Sequence, residues 1–347
     1  MLSCLGRKLR VNSLSCSLVR NRSCNTQGLE SVFLFPGQGS QEVGMCRESL
    51  RESSVREMFD EASEVLGYDL ARVCMDGPAD ELNRTAVCQP AAVVASLTAA
   101  WKYSLQNGGP SWPSLRVAGF SVGEITSLIY TKSISFKAGM QLIQARGRAM
   151  QDASDRFPGA ILSVRGLKHV DVIDLCRRCK EETRLESIAP CNSPDSLYLG
   201  ISSFLAREAF TVAGHSQLVD MAEGCAADMG ASVLQRLSVA GAFHTPLMAS
   251  AQEAVRSVLD SVVVSMPRCP VYSNVTGLPF TCPDDIRQRL VEQLVLPVLW
   301  SAIVADLLAA ASTSTRYIEL GPGRSLTASL VLNKRALSRR CVNIHAN

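Results

Sequence analysis

Apolar and polar positions divide the chain into short apolar runs, which read as strands, and longer stretches of helical period. Residues 31–35 form a short apolar strand running into Pro36-Gly37-Gln38-Gly39-Ser40-Gln41. Helical patterns fill 45–66 and, after Gln89-Pro90, 91–105. An apolar strand at 115–119 meets a helical stretch at 124–130, and a further amphipathic helix covers 136–153. The pattern then shortens. Strands are predicted at 159–165, 187–190, 210–213 and 233–237, with helices at 170–182 and 217–229. A helix from Leu247, a strand at 271–275, helices ending at Val295 and Ala311, and a strand at 317–320 complete the series.

These elements predict an α/β fold: a large α/β-hydrolase-like domain with a parallel sheet, interrupted by a smaller α+β lobe of ferredoxin-like type. The expected division is 30–155 with 239–347 for the large catalytic part and 156–238 for the inserted lobe. With 347 residues, 47% hydrophobic and 19% charged, the chain can bury one large core and a smaller one. Net charge is only +3, which implies no basic nucleic-acid face. No apolar run reaches the roughly 18 residues a bilayer span needs.

The first 29 residues stand apart. Arg7, Lys8, Arg10, Arg20 and Arg22 alternate with serines and leucines, and no acid precedes Glu30. An Arg- and Ser-rich, acid-poor, amphipathic start is a mitochondrial transit-peptide composition, and a disordered basic tail is the alternative. No continuous apolar segment supports a secretory signal. The 13 cysteines are scattered through apolar patterns and read as small buried hydrophobes. Cys176 and Cys179 form a lone Cys-x-x-Cys with no second pair, so no metal site is expected.

Candidate chemistry begins at Gly119-Phe120-Ser121-Val122-Gly123. Strand, Gly-x-Ser-x-Gly and helix in that order make a nucleophile elbow, with the first helical N–H groups facing any oxyanion. An ordinary Gly-rich turn has the same residues. His244, in Phe243-His244-Thr245-Pro246, is the best base among four histidines. The others lie in a charged helix start (His169), at another helix start (His215) and at a C-terminus expected to fray (His345). Arg146 sits in a mostly apolar helix beside Gly147, where a surface Arg is the plainer reading. Gln293 attracts no notice by itself.

In this order, Phe35 to Gln41, the Ser121 elbow, Arg146-Gly147, Cys191-Asn192-Ser193-Pro194, Phe243-His244 and Gly321-Pro322-Gly323 resemble the malonyl-CoA:acyl-carrier-protein transacylases. The N-terminus makes the likeness closest to their mitochondrial form. The resemblance spans about residues 31 to 340, and the combination is far more specific than any single motif. It implies Ser121 as nucleophile, His244 as base and the backbone carbonyl of Gln293 as the group orienting that base. It also implies an oxyanion hole from the N–H groups of Gln38 and Val122, with Arg146 holding the malonyl carboxylate. Phe243 would restrict the acyl 2-position, and Gln89 and Asn192 would line the pocket or approach CoA. The implied partners are malonyl-CoA and a mitochondrial acyl carrier protein in the matrix, and no metal or prosthetic group is needed.

Two departures from the family pattern stand out. Phe120 occupies a position usually held by His. The stretch 197–210 is an apolar excess of roughly a dozen residues, expected to loop out because Gly200-Ile201-Ser202-Ser203 breaks its pattern. A serine thioesterase or hydrolase, and a catalytically silent binding protein or splice form disabled by this insertion, are the rival readings.

Overall fold

The computed structural model describes residues 29–186, 197–239 and 241–347. The expected targeting segment up to residue 28, the strand at 187–190 and Asn192 therefore lie outside the described residues.

Four parallel strands form the first sheet: β1 (Leu29–Phe35), β2 (Leu115–Gly119), β7 (Ala311–Leu320) and β8 (Cys341–Ile344), in the order β2-β1-β7-β8. Parallel strands are covered on both faces, so their sequences read as continuous apolar runs. In β1, Phe33 and Phe35 enter one core while Val32 and Leu34 enter another on the opposite face. Each such fully buried side chain contributes about 1.5–3 kcal/mol. The long connection from β1 to β2 carries α1 (Ser53–Leu66), α2 (Leu70–Asp76), α3 (Ala79–Asn83) and α4 (Thr85–Asn107). After β2 come α5 (Val122–Tyr130) and α6 (Phe136–Arg156).

The second sheet is antiparallel. It contains β3 (Gly159–Arg165), β4 (Leu199–Ala206), β5 (Ala209–His215) and β6 (Val233–Arg236), ordered β4-β5-β3-β6. With α7 (His169–Glu186) and α8 (Ser216–Asp228), this is a β-α-β-β-α-β unit with its own core of Leu162, Val172, Leu175, Phe210, Val212 and Leu218. The Cys176 and Cys179 side chains are buried there as free thiols. The chain then returns to the large part through α9 (Gln252–Ser261), α10 (Pro283–Glu292), α11 (Trp300–Ala310) and α12 (Ser325–Asn333).

Several expectations need correction. The stretch 197–210 does not loop out. It supplies β4, which pairs antiparallel with β5 from Leu199 opposite Gly214 to Ala206 opposite Ala209. Register shifts after Ile201 and Phe204 explain the missing alternation: the strand is irregular, so no clean period-2 pattern survives in the sequence. Leu199 is buried, and Ile201, Phe204 and Leu205 are half-buried. The same strand joins the two sheets' surroundings, since Phe204 N–H donates to Val298 O (2.9 Å) and Val298 N–H donates to Ser202 O (3.0 Å).

The predicted strand at 271–275 is reduced to isolated bridges, Val271 beside Val117 and Tyr272 beside Pro279, because the chain turns back at Gly277. The helix predicted from residue 45 begins at Ser53, after Gly44 and Cys46 have taken positive φ. Pro90 lies inside α4, so Gln89 is helical. The C-terminus is not frayed, because β8 closes the sheet edge.

Candidate active site

Carboxyl ends of adjacent parallel strands are where open α/β sheets bind ligands. β1 ends at Phe35 and leads to Gln38, and β2 ends at Gly119 and leads to Ser121. The two elbow glycines are required by the close packing of this turn. A Cβ on Gly119 would lie 1.9 Å from Gly123 O, and one on Gly123 would lie 2.1 Å from Phe35 O. Ser121 itself takes φ 55°. For a non-glycine residue this left-handed conformation costs of order 1 kcal/mol or more, and the surroundings must hold it. Asn274 does so: its Oδ1 accepts from Ser121 N–H at 2.7 Å, and its Nδ2 donates to Gly119 O at 2.7 Å.

His244 lies in the loop before the 3-10 turn Pro246–Ala251 and also has positive φ, 60°. Its Nδ1 is 2.8 Å from Gln293 O and its Nε2 is 2.9 Å from Ser121 Oγ. A carbonyl only accepts, so Nδ1 carries the proton and Nε2 is left as acceptor for the Ser121 hydroxyl. Burial is the main cause that lowers the His244 pKa to about 4, with the Arg146 charge adding to it and the Gln293 hydrogen bond opposing it. The imidazole is therefore neutral at pH 7 and ready to accept a proton. Among the described residues the Gln293 carbonyl takes the place on Nδ1 that a carboxylate would fill.

Arg146 projects from α6 and is 1% exposed. Its Nη1 donates to Gln89 Oε1 (2.7 Å), and its Nη2 donates to Gln293 Oε1 (2.8 Å) and Ser121 Oγ (3.0 Å). All three acceptors are neutral. Burial brings its pKa down to about 10, against the pull of Glu124, so the guanidinium keeps its charge at neutral pH. Gln89 Nε2 in turn donates to Gln38 Oε1 at 3.1 Å, tying the clamp to the β1 loop.

Val122 is the first residue of α5, so its N–H has no acceptor within the helix. Phe243 is buried in the large core beside His244. Phe120 packs its ring against Trp300 (5.8 Å between centroids) and edge-on to His244 (6.5 Å). Sequence reasoning thus named Ser121, His244, Arg146, Gln293, Gln89 and Gln38, and these six are brought into one network.

A family model described as the acyl transferase domain matches residues 32–335. The chain belongs to the acyl transferase family. A mitochondrial relative from Drosophila melanogaster, a probable malonyl-CoA-acyl carrier protein transacylase, is 35% identical over 302 residues, covering 86% of this chain and 78% of the relative. The solved malonyl CoA-acyl carrier protein transacylase of Coxiella burnetii superposes with a TM-score of 0.80 at 26% identity, covering 91% and 94% of the two chains. Another solved structure is a malonyl-transacylase in complex with its type II polyketide acyl-carrier protein. It superposes with a TM-score of 0.77 at 31% identity, covering 90% of this chain and 94% of the other. This acyltransferase therefore has the two-part fold of the malonyl transacylases.

Two polar residues of this acyl transferase site went unnoticed in the sequence. Asn274 supports the elbow as described. Glu124, in the first turn of α5, is fully buried, and its Oε2 accepts from Gln293 Nε2 and from Asn274 N–H (3.2 Å). A polar side chain inside the apolar run Val271-Tyr272-Ser273-Asn274-Val275 was the available signal for the first. For Glu124 the signal was an acid immediately after the elbow, which reads more simply as a helix N-terminal charge.

Proposed function

We propose that this enzyme moves malonyl from CoA to the phosphopantetheine thiol of an acyl carrier protein through a malonyl-Ser121 intermediate. The observation that carries this reading is Arg146, a buried guanidinium with only neutral hydrogen-bond partners, 3.0 Å from Ser121 Oγ. An acyl group attached at Ser121 and ending in a carboxylate would receive a charged fork there. An acetyl group leaves that fork without a counter-ion, so the pocket discriminates against it.

In the first half-reaction Ser121 Oγ attacks the thioester carbonyl while His244 Nε2 takes its proton. The oxyanion develops against the N–H groups of Val122 and Gln38. The C–S bond breaks, and the imidazolium returns its proton to the leaving CoA sulfur. The second half repeats the sequence in reverse with the carrier thiol as nucleophile. Gln293 O holds the Nδ1 proton throughout. Phe243 limits bulk at the acyl 2-position and Gln89 steadies Arg146, while a CoA-side role for Asn192 rests on the family resemblance alone.

The Arg- and Ser-rich first 29 residues, together with relatives named mitochondrial, support a transit peptide and a place in the matrix, with a mitochondrial acyl carrier protein as acceptor. There the product would supply type II fatty acid synthesis. On this reading residues 30–155 and 239–347 act as the catalytic domain and 156–238 as the smaller subdomain. Assay of purified protein with labelled malonyl-CoA and holo carrier protein tests the proposal. Malonyl on the carrier thiol is expected, and release of free malonate instead would mark a hydrolase.

A further inference from the structure

Glu124 is a buried titratable group for which the mechanism above has no use, yet it touches both halves of the machinery. Through Asn274 it reaches the nucleophile: Glu124 Oε2 holds Asn274 N–H, and Asn274 holds Ser121 N–H and Gly119 O. Through Gln293 it reaches the base: Gln293 Nε2 donates to Glu124 Oε2 and to Ser121 O (3.2 Å), while the Gln293 backbone carbonyl orients His244. The Gln293 side-chain oxygen also takes a bond from Arg146. One carboxyl therefore joins the elbow, the 272–275 segment, the end of α10 and the clamp on α6. Ser121 and His244 both sit at positive φ, so neither holds its own geometry.

Glu124 Oε1 is buried and, among the described residues, has no hydrogen-bond partner, so a proton on it breaks none of the bonds that Oε2 accepts. The groups acting on this carboxyl from neighbouring elements are few. Arg146 on α6 pulls towards ionisation, and Asp285 on α10 pushes against it. His244 is neutral, and the Cys88 thiol on α4, beside Arg146, is held neutral by burial. An ionised Glu124 is therefore the main counter-charge acting on Arg146. A carboxylate arriving on Arg146 would place a second negative charge in the same closed space, and two such charges do not both persist. Burial already raises the Glu124 pKa to about 8, which makes it the group that yields.

We propose that Glu124 is a positioning residue that locks the nucleophile elbow to the base-orienting Gln293, and that it does so as the neutral acid whenever a carboxylate acyl group occupies Arg146. Above neutral pH, malonyl binding then takes one proton from solvent onto Glu124. This rests on the malonyl reading given above.

The test compares wild type, Glu124→Gln and Glu124→Ala. Ser121 malonylation in wild type should slow by about tenfold per pH unit above the Glu124 pKa, and Glu124→Gln should lack that alkaline limb. An unchanged limb in Glu124→Gln overturns the charge half. A neutral fluorophosphonate that labels Ser121 reads positioning without malonyl. Glu124→Ala should slow labelling by about tenfold or more, and Glu124→Gln should largely restore it. Unchanged labelling in Glu124→Ala overturns the positioning half. If the variants fail to fold, infrared difference spectra of wild type with ¹³C-malonyl-CoA decide. A new protonated-carboxyl band not shifted by the label is expected near pH 9, and its absence overturns the charge half. Wild type that reacts with the phosphonate but never takes malonyl refutes the substrate reading itself.

Discussion

Replacing Arg146 by alanine separates what the guanidinium does for one acyl group from what it does for all of them. Its Nη2 touches Ser121 Oγ at 3.0 Å, a contact made without any substrate carboxylate. Losing that contact costs about 1 kcal/mol, or roughly fivefold, for malonyl and acetyl transfer alike. A malonyl carboxylate loses in addition a desolvated, bidentate ionic partner in a site where Arg146 is 1% exposed. Truncating one side of such a buried charge pair costs about 2–5 kcal/mol, a further factor of roughly 30 to several thousand. Acetyl transfer escapes this second loss, because no carboxylate is stranded. Parallel kcat/KM measurements with malonyl-CoA and acetyl-CoA, in wild type and variant, read the two contributions apart. The selectivity for malonyl should collapse by at least about thirtyfold. An equal fall on both substrates would refute the clamp and leave Arg146 as a structural member of the Gln89–Gln293 network.

Three further outcomes follow from the same geometry. Deleting residues 197–209 removes β4, its ladder with β5 and its bonds to Val298, so it should unfold the small lobe and cost more than the roughly 5 kcal/mol that severe single substitutions reach; a melting curve like wild type would contradict this. Stability should depend on pH through two opposed groups. His244, with its pKa lowered from 6.5 to about 4, binds its proton more readily unfolded, so its contribution rises with pH across that window. Glu124, raised from 4.5 to about 8, binds its proton more readily folded, so its contribution falls as pH rises through that window. The two oppose each other between about 4.5 and 6.5, and from 6.5 to 8, where His244 no longer contributes, the Glu124 share is a loss of about 2 kcal/mol in denaturant unfolding that Glu124→Gln should remove. Residues 1–29 fused to a reporter should carry it into mitochondria, and a uniformly cytosolic reporter would contradict the transit-peptide reading.

The elbow was legible because its demands are local. A strand, two glycines and a helix start leave little freedom, and Gly119 and Gly123 are placed where no Cβ fits. His244 was legible as the best base among four histidines, but Arg146 and Gln293 were legible as site residues only through the family pattern, since each reaches the site through long-range packing that no local signal encodes. The 197–210 segment was misread because a strand with two register shifts loses its alternation, although it completes the sheet that the flanking elements had already suggested. The segment at 271–275 failed in the opposite way. Its apolar run is a strand by composition, but the fold uses it to deliver Asn274 to the elbow. β8 was missed because Cys341-Val342-Asn343-Ile344 is only a four-residue, half-buried stretch whose strand is defined by its parallel pairing with β7.

Transfer through this site requires a covalent bond at Ser121. Intact-mass measurement of wild type and Ser121→Ala, each mixed with malonyl-CoA in the absence of carrier protein, tests this most directly. Wild type should gain the mass of one malonyl group and lose it on addition of a holo carrier protein, while folded Ser121→Ala should gain nothing. A folded wild type without the adduct, or an adduct that persists in Ser121→Ala, would contradict the account.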